Sequence, residues 1–380
     1  MSLRLVALLA FVTACPAPKP VAKPVPTPIG ELPVQQGGPK ITWVRVESPS
    51  DVPRTPPPAG TYRIHLIDVG TGLSILVQGT DFNLLYDAGS NDKAEKPARV
   101  LAYLAAAIGP SGDDLCGDKA SGDRKLIDQV VLSHPHFDHA SALDLVVHCY
   151  DIRDIWDSGR VNDAVFYRAF LEAVSKSAAT YHTAASVPSD HVVGVKGTEI
   201  EIPKWERFSE GDSVPLGAAG AKFTILHAEA KKLPDPNQNS VVIAVELGSA
   251  RLLLVGDAES GERRDPSDPP GDVEEFLIDH HAKEIRADIL QVGHHGSKTS
   301  SRRAFLQAVH PHLALVSSGP KLYGHTVLPD AAVIEELHHV GAQVLRTDER
   351  GERDDSCPHA KLGPQDGPGG CDSYIITVAP

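Results

Sequence analysis

The chain has 380 residues, 41% hydrophobic and 23% charged, which supplies a large buried core and excludes a low-complexity or wholly disordered chain. Its formal net charge of −14 argues against tight, nonspecific nucleic-acid binding through the overall field, although bound cations reverse the sign locally. The length admits one large α/β domain or two to three smaller ones.

The first residues read as an export signal over 1–14: Arg4 is followed by a short apolar run over 5–11, too short to cross a bilayer as a finished helix. Val12-Thr13-Ala14-Cys15 resembles the bacterial lipoprotein signal, in which the cysteine is lipidated and becomes the new N-terminus; an ordinary signal peptide cut nearby is the alternative. Residues 15–60 are proline-rich and read as an extended tether, with a stray strand over 41–46, and the folded part runs from 61 to 380. The expectation is an exported protein facing the periplasm or cell exterior and touching the membrane only through its N-terminal lipid. No apolar run long enough to cross a membrane follows the signal. Beyond Cys15 the cysteines are Cys116, Cys149, Cys357 and Cys371. An even count in an exported chain predicts two disulfides; of the three pairings, Cys116–Cys149 with Cys357–Cys371 joins segments that can lie close together.

Strands are expected over 62–70, 74–79 and 82–89, with Thr80-Asp81 as a turn, so the domain opens on an antiparallel meander. A helix over 98–108, a polar loop over 109–125, a buried strand over 126–132 and helices over 140–147 and 164–178 follow. A second strand-rich stretch begins near 208 and continues over 221–227, 240–247 and 251–255, with Gly248-Ser249 as a turn. Later strands read over 288–292, 313–317 and 343–346, with helices over 302–309 and 331–340 between them. Two strand-rich halves that each end in mixed strand and helix predict an α/β fold in which two sheets pack together with helices outside, a four-layer αββα sandwich.

The run Ser133-His134-Pro135-His136-Phe137-Asp138-His139 carries the strongest chemical signal. It sets three imidazoles and one carboxylate in six positions, in the order His-x-His-x-Asp-His, after a buried strand and before a helix. Nitrogen and oxygen donors crowded into such a turn suit zinc or a similar divalent ion, and the carboxyl end of a strand is where α/β folds place their chemistry. His134 and His136 point the same way on an extended segment, leaving Asp138 and His139 for a second ion. Val255-Gly256-Asp257-Ala258 ends another apolar strand with a carboxylate able to bridge two ions, and His294-His295-Gly296-Ser297 and Tyr323-Gly324-His325 follow later strands. His227, at another strand end, is a weaker signal, and His280-His281 and His338-His339 read as surface pairs.

In order along the chain these candidates resemble the metallo-β-lactamase superfamily over roughly residues 62–350. More narrowly they are similar to the hydrolase domain of ComEC-type DNA-uptake proteins. The likeness is carried by Ile67-Asp68-Val69-Gly70, Leu85-Tyr86-Asp87-Ala88-Gly89, the His run, Asn237-Gln238-Asn239-Ser240, Gly256-Asp257-Ala258-Glu259, His294-His295-Gly296-Ser297, Tyr323-Gly324-His325 and Arg346-Thr347-Asp348-Glu349-Arg350-Gly351. The resemblance implies two divalent ions, zinc or alternatively manganese. His134 and His136 would hold one, Asp138, His139 and His325 the other, and Asp257 would bridge. Asp87 would orient the His run from behind, and His294 or His295 would be the remaining ligand or touch the substrate. Asp138 would orient the attacking water. The family usually shows Gly-Gln-Gly-Asp-Ser where this chain has Gly70-Thr71-Gly72-Leu73-Ser74. The function so implied is hydrolysis of a phosphodiester in nucleic acid or a phosphorylated envelope polymer, without a stable nucleic-acid complex. The alternatives are a lactam, lactone or thioester substrate, or a non-catalytic binding lipoprotein on the same scaffold.

Overall fold

In the computed structural model, which describes residues 28–33, 38–46, 48–91, 98–109, 124–350 and 370–380, two large mixed sheets carry most of the chain. The first has ten strands, in the spatial order Gly30–Glu31, Lys40–Arg45, Tyr374–Ala379, Tyr62–Leu66, Ile75–Gln78, Asn83–Tyr86, Leu126–Leu132, Asp151–Asp157, Thr180–Thr183 and Trp205–Arg207. The second has seven: Ser213–Leu216, Ala221–His227, Val242–Leu247, Ala250–Leu254, Ile289–Gln291, Leu313–Val316 and Gln343–Arg346. Each sheet opens as an antiparallel meander and turns parallel, at Asn83–Tyr86 against Leu126–Leu132 in one and at Ala250–Leu254 against Ile289–Gln291 in the other. Parallel neighbours need crossovers, and those crossovers supply the helices.

Three separate cores show the layering. Ile64, Tyr86, Val131, Ile243, Leu252 and Leu313 meet between the sheets. Leu85, Val130, Leu104, Val146 and Phe170 join the outer face of the first sheet to helices Ala98–Ala107, Leu143–Cys149 and Val165–Lys176. Leu253, Leu290, Leu277, Leu306 and Leu337 do the same for the second sheet and helices Asp272–His281, Arg303–Val309 and Ala331–His339. Successive residues such as Val130 and Val131, or Leu252 and Leu253, enter different cores. Strands buried on both faces therefore read as unbroken apolar runs. The result is the expected αββα sandwich.

The tether assigned to 15–60 extends too far. Lys40–Arg45 pairs along its length with Tyr374–Ala379, which in turn pairs with Tyr62–Leu66, and Ile41 and Trp43 are buried between the sheets. Alternating apolar residues behind a proline-rich stretch find a partner only when the far end of the chain arrives. That C-terminal strand was not expected, nor were Asp151–Asp157 and Thr180–Thr183, whose runs are broken by Arg153 and Asp154 or are short and polar. The helix expected over 140–147 is two pieces, Phe137–Ala140 and Leu143–Cys149. Cys149 and Cys371 are each disulfide-bonded, and their expected partners Cys116 and Cys357 lie outside the described residues, as do the signal, Cys15 and the start of the tether. Among the described residues no helix is long and apolar enough to cross a membrane.

Candidate metal centre

The carboxyl ends of Asn83–Tyr86, Leu126–Leu132, Ala250–Leu254 and Ile289–Gln291 open towards one another, and each is followed by a site residue. The His run leaves its strand at Ser133. His136 keeps extended backbone at the N-cap, and Phe137–Ala140 forms one helical turn that carries Asp138 and His139. The turn packs against Gly89, where a Cβ would lie 2.4 Å from the Asp138 carbonyl carbon, so only glycine fits. Asp87 secures the run from behind. It accepts from the Ser133 backbone N–H at 2.7 Å, the Ser133 hydroxyl at 2.6 Å and the His139 Nδ1–H at 2.8 Å. Those bonds fix the His139 tautomer and turn its Nε2 into the site.

The second half contributes Asp257, His294 and His295. Gly256 has φ +57° and its Cβ position lies 2.5 Å from the Ser133 side chain, which lets the two halves approach closely. His294 and His295 are both left-handed, at φ 43° and 53°, a conformation that costs an L-residue about 1–2 kcal/mol. The strained pair aims both rings inward. His295 Nδ1–H donates to the Ser317 carbonyl at 2.9 Å, and His294 Nδ1–H is shared by Glu259, a very short contact, and Thr299 Oγ1 at 2.8 Å. Asn237 Nδ2 also donates to Glu259, at 3.2 Å.

Asp257 Oδ2 is the meeting point. It lies 3.2 Å from His139 Nε2, 3.7 Å from His295 Nε2, 3.8 Å from His294 Nε2 and 3.9 Å from His134 Nε2. Two clusters have donor atoms close enough to hold a cation: His134 with His136 and Asp257, and Asp138 with His139 and His295. His139 Nε2, His295 Nε2 and Asp257 Oδ1 are buried without a hydrogen-bond partner. Orphaned donor atoms of this kind in a set of imidazoles and carboxylates fit a pair of divalent cations.

The electrostatics hold His134, His136, Asp257 and Asp138 in the forms that bind a cation. Burial holds His134 well below and His136 below the ordinary imidazole range, so both stay neutral. Burial pushes Asp257 up, but the imidazoles of His139, His295 and His294 outweigh it and hold the carboxyl well below its usual range. Burial likewise opposes ionisation of Asp138, but the adjacent imidazoles of His295 and His139 outweigh it and hold the carboxyl low. His139 is raised well above the ordinary value, because the carboxylates of Asp257 and Asp87 overcome burial.

His325, expected to serve the second ion, is not among the grouped residues. It sits exposed at the tip of the hairpin over 322–327, where Tyr323 pairs with Thr326 and Gly324 has φ +63°. The tight turn sends Tyr323 inward, where its hydroxyl donates to Asp138 Oδ2 at 3.1 Å, and leaves His325 in solvent. His295 stands with Asp138 and His139 instead. His227 donates to the Ser240 carbonyl at 2.8 Å and packs on Phe276, a structural role. Glu259 and Asn91 received no role from the sequence. Glu259 lies two residues beyond Asp257 in a quoted motif, a usable signal; Asn91, whose Nδ2 donates to Asp138 Oδ2 at 2.7 Å, had none.

The sequence profile of the Metallo-beta-lactamase superfamily matches residues 67–319. Recombination protein 2 of Haemophilus influenzae is 26% identical over 289 residues, covering 76% of this chain and 28% of that protein. Competence protein ComA of Neisseria gonorrhoeae is 28% identical over 282 residues, covering 74% of this chain and 30% of its own length. The chain thus spans less than a third of these curated relatives. Among solved structures, the metallo-beta-lactamase fold protein YhfI from Bacillus subtilis is 15% identical, with a TM-score of 0.39 over 75% of this chain and 96% of that one.

Proposed function

Since the chain belongs to the metallo-beta-lactamase superfamily, we propose that this hydrolase uses a two-cation centre to activate water against phosphodiesters, in nucleic acid or a phosphorylated envelope polymer. The observation that carries the reading is Asp257, whose Oδ2 lies within 3.9 Å of imidazole nitrogens supplied by both halves of the molecule. His134, His136 and Asp257 would hold one cation and Asp138, His139 and His295 the other. When bound, such a pair supplies a water acidified to react near neutral pH and positive charge opposite a developing oxyanion.

The chain's own residues do the rest. Asp87 fixes the His139 tautomer, and Ser317 fixes that of His295, so both present Nε2. Asp138 orients the attacking water. His294, with Nε2 towards Asp257 and its other nitrogen held by Glu259, would act as the proton donor to the leaving group. A phosphodiester needs that proton on its departing alkoxide, and the likeness to a recombination protein and a competence protein suits a nucleic-acid substrate. Export of the chain and a lipid on Cys15 remain part of the proposal, as does membrane contact through that lipid alone.

The test is elemental analysis of the full chain together with turnover of bis-p-nitrophenyl phosphate and of nitrocefin. Two ions per chain, turnover of the phosphodiester and a loss of at least about 100-fold in Asp257→Ala are expected. Turnover of nitrocefin alone would move the substrate class to lactams. Less than one ion per chain would leave a binding protein on a hydrolase scaffold.

A further inference from the structure

We propose that Asn91 and Tyr323 are positioning residues which, by clamping the carboxylate of Asp138, set the cation affinity of the Asp138–His139–His295 half of the centre. The inference rests on the two-cation reading above. Both side chains donate to one oxygen of Asp138: Asn91 Nδ2 at 2.7 Å and the Tyr323 hydroxyl at 3.1 Å. The Asn91 amide also donates to the Tyr323 oxygen at 3.3 Å, closing a triangle. That same Asp138 oxygen lies 3.6 Å from His295 Nε2. The terminal torsion of an aspartate is soft, so two donors on one oxygen are what fix the plane of the carboxylate. Partners of this kind behind a metal ligand are worth about 10–100-fold in metal affinity.

The two arms come from opposite halves of the molecule and share one anchor. Thr71 is buried below them. Its carbonyl accepts the Asn91 backbone N–H at 2.6 Å, and its hydroxyl accepts the Lys321 backbone N–H at 3.1 Å, just ahead of the hairpin that carries Tyr323. The chain at Gly319 passes so close that a Cβ there would lie 2.3 Å from the Thr71 nitrogen. Thr71 occupies the place where the family resemblance leads one to expect glutamine, and the clamp gives that departure a task. The Lys321 ammonium lies over the Tyr323 ring at 5.0 Å. The rest of the hairpin faces solvent, with Leu322 62% and Val327 47% exposed. An outward hairpin is thus held down by its one inward side chain. Because coupling is reciprocal, a cation at Asp138 must also hold the hairpin in place.

The experiment titrates manganese alone into the full chain after its metal has been removed by dialysis, with heat as the readout. Wild type, Tyr323→Phe, Asn91→Ala, the double variant and Leu322→Ala are compared. Tyr323→Phe keeps the ring and removes only the hydroxyl; Leu322→Ala alters the same hairpin away from Asp138. Expected are two equivalents for wild type and Leu322→Ala with matching affinities. In each clamp variant one equivalent should be unchanged and the other weakened about 10–100-fold. Manganese should also slow amide exchange over 321–327 in wild type and not in Tyr323→Phe. Unchanged affinities in Tyr323→Phe and Asn91→Ala overturn the clamp alone, and equal weakening of both equivalents reduces the pair to a structural role and overturns it too. A wild type that binds fewer than two equivalents overturns the two-cation reading and the clamp with it.

Discussion

Glu259 and His294 form a carboxylate–imidazole pair at the rim of the centre. Burial pushes His294 down, but the charges of Asp257 and Glu259 outweigh it and raise the imidazole to about 9. Burial raises Glu259 as well, against its bond from His294. Among the chain's own groups, Asp257 and Glu259 therefore favour the protonated form of His294. Replacing Glu259 with glutamine removes one of the carboxylates responsible, so the imidazole gives up its proton at lower pH. If His294 serves as proton donor, the alkaline limb of the kcat profile moves to lower pH in Glu259→Gln, and the rate at pH 8 falls about 10–100-fold. A pH–rate profile superimposable on that of wild type would remove His294 from the proton path. The left-handed backbone at His294 and His295 belongs to the same device, since strain of this sort persists where the surroundings over-determine it.

At the scale of elements, helix Asp272–His281 is tied to the site's supporting loops through Glu274. This buried side chain accepts the backbone N–H groups of Ser301 and Arg302 and the hydroxyl of Ser260. Burial raises it from 4.5 to about 7 despite those bonds. The native state thus binds the proton more tightly than the unfolded chain. Its contribution to stability is fully present below pH 4.5 and is lost as pH rises through about 7. Glu274→Gln should flatten the fall of Tm across that window, as measured by calorimetry at several pH values; parallel curves for the two proteins would show that the side chain is ionised throughout. The strand Tyr374–Ala379 illustrates a different element-level effect. It is inserted between Lys40–Arg45 and Tyr62–Leu66, so the first sheet is completed only when the last residues arrive.

For the whole molecule, a cation held at the candidate metal centre would staple the two halves together. His134, His136, Asp138 and His139 come from the first, and Asp257 and His295 from the second. Without cations, buried nitrogens of His139 and His295 and an oxygen of Asp257 stay unpaired. A ligand bound only by the folded state adds about 2.7 kcal/mol at a hundred times its Kd. Chelation with EDTA should accordingly lower Tm, and back-titration with zinc or manganese should restore it in step with metal content. A Tm indifferent to chelation would mean that the halves are held by the inter-sheet core alone.

The αββα order was legible because buried strands and amphipathic helices leave periodic apolar signatures that survive without any partner in view. So was the His134–His139 run with Asp257, since short spacing at strand ends is a local property. Asp87 was assigned its place behind the His run through the family resemblance, and the structure puts it there. What the chain alone left open depends on which distant segments meet. Lys40–Arg45 looked like part of a tether because its partner lies more than 300 residues away, at Tyr374–Ala379. That His295 rather than His294 lies with Asp138 and His139 turns on two left-handed residues and on Glu259, Thr299 and Ser317, none of which adjacency in sequence can weigh. Tyr323 rather than His325 meets Asp138 because a two-residue hairpin turn decides which side chain faces the cavity, and the packing of Lys321 on Thr71 sets that hairpin down over Asp138.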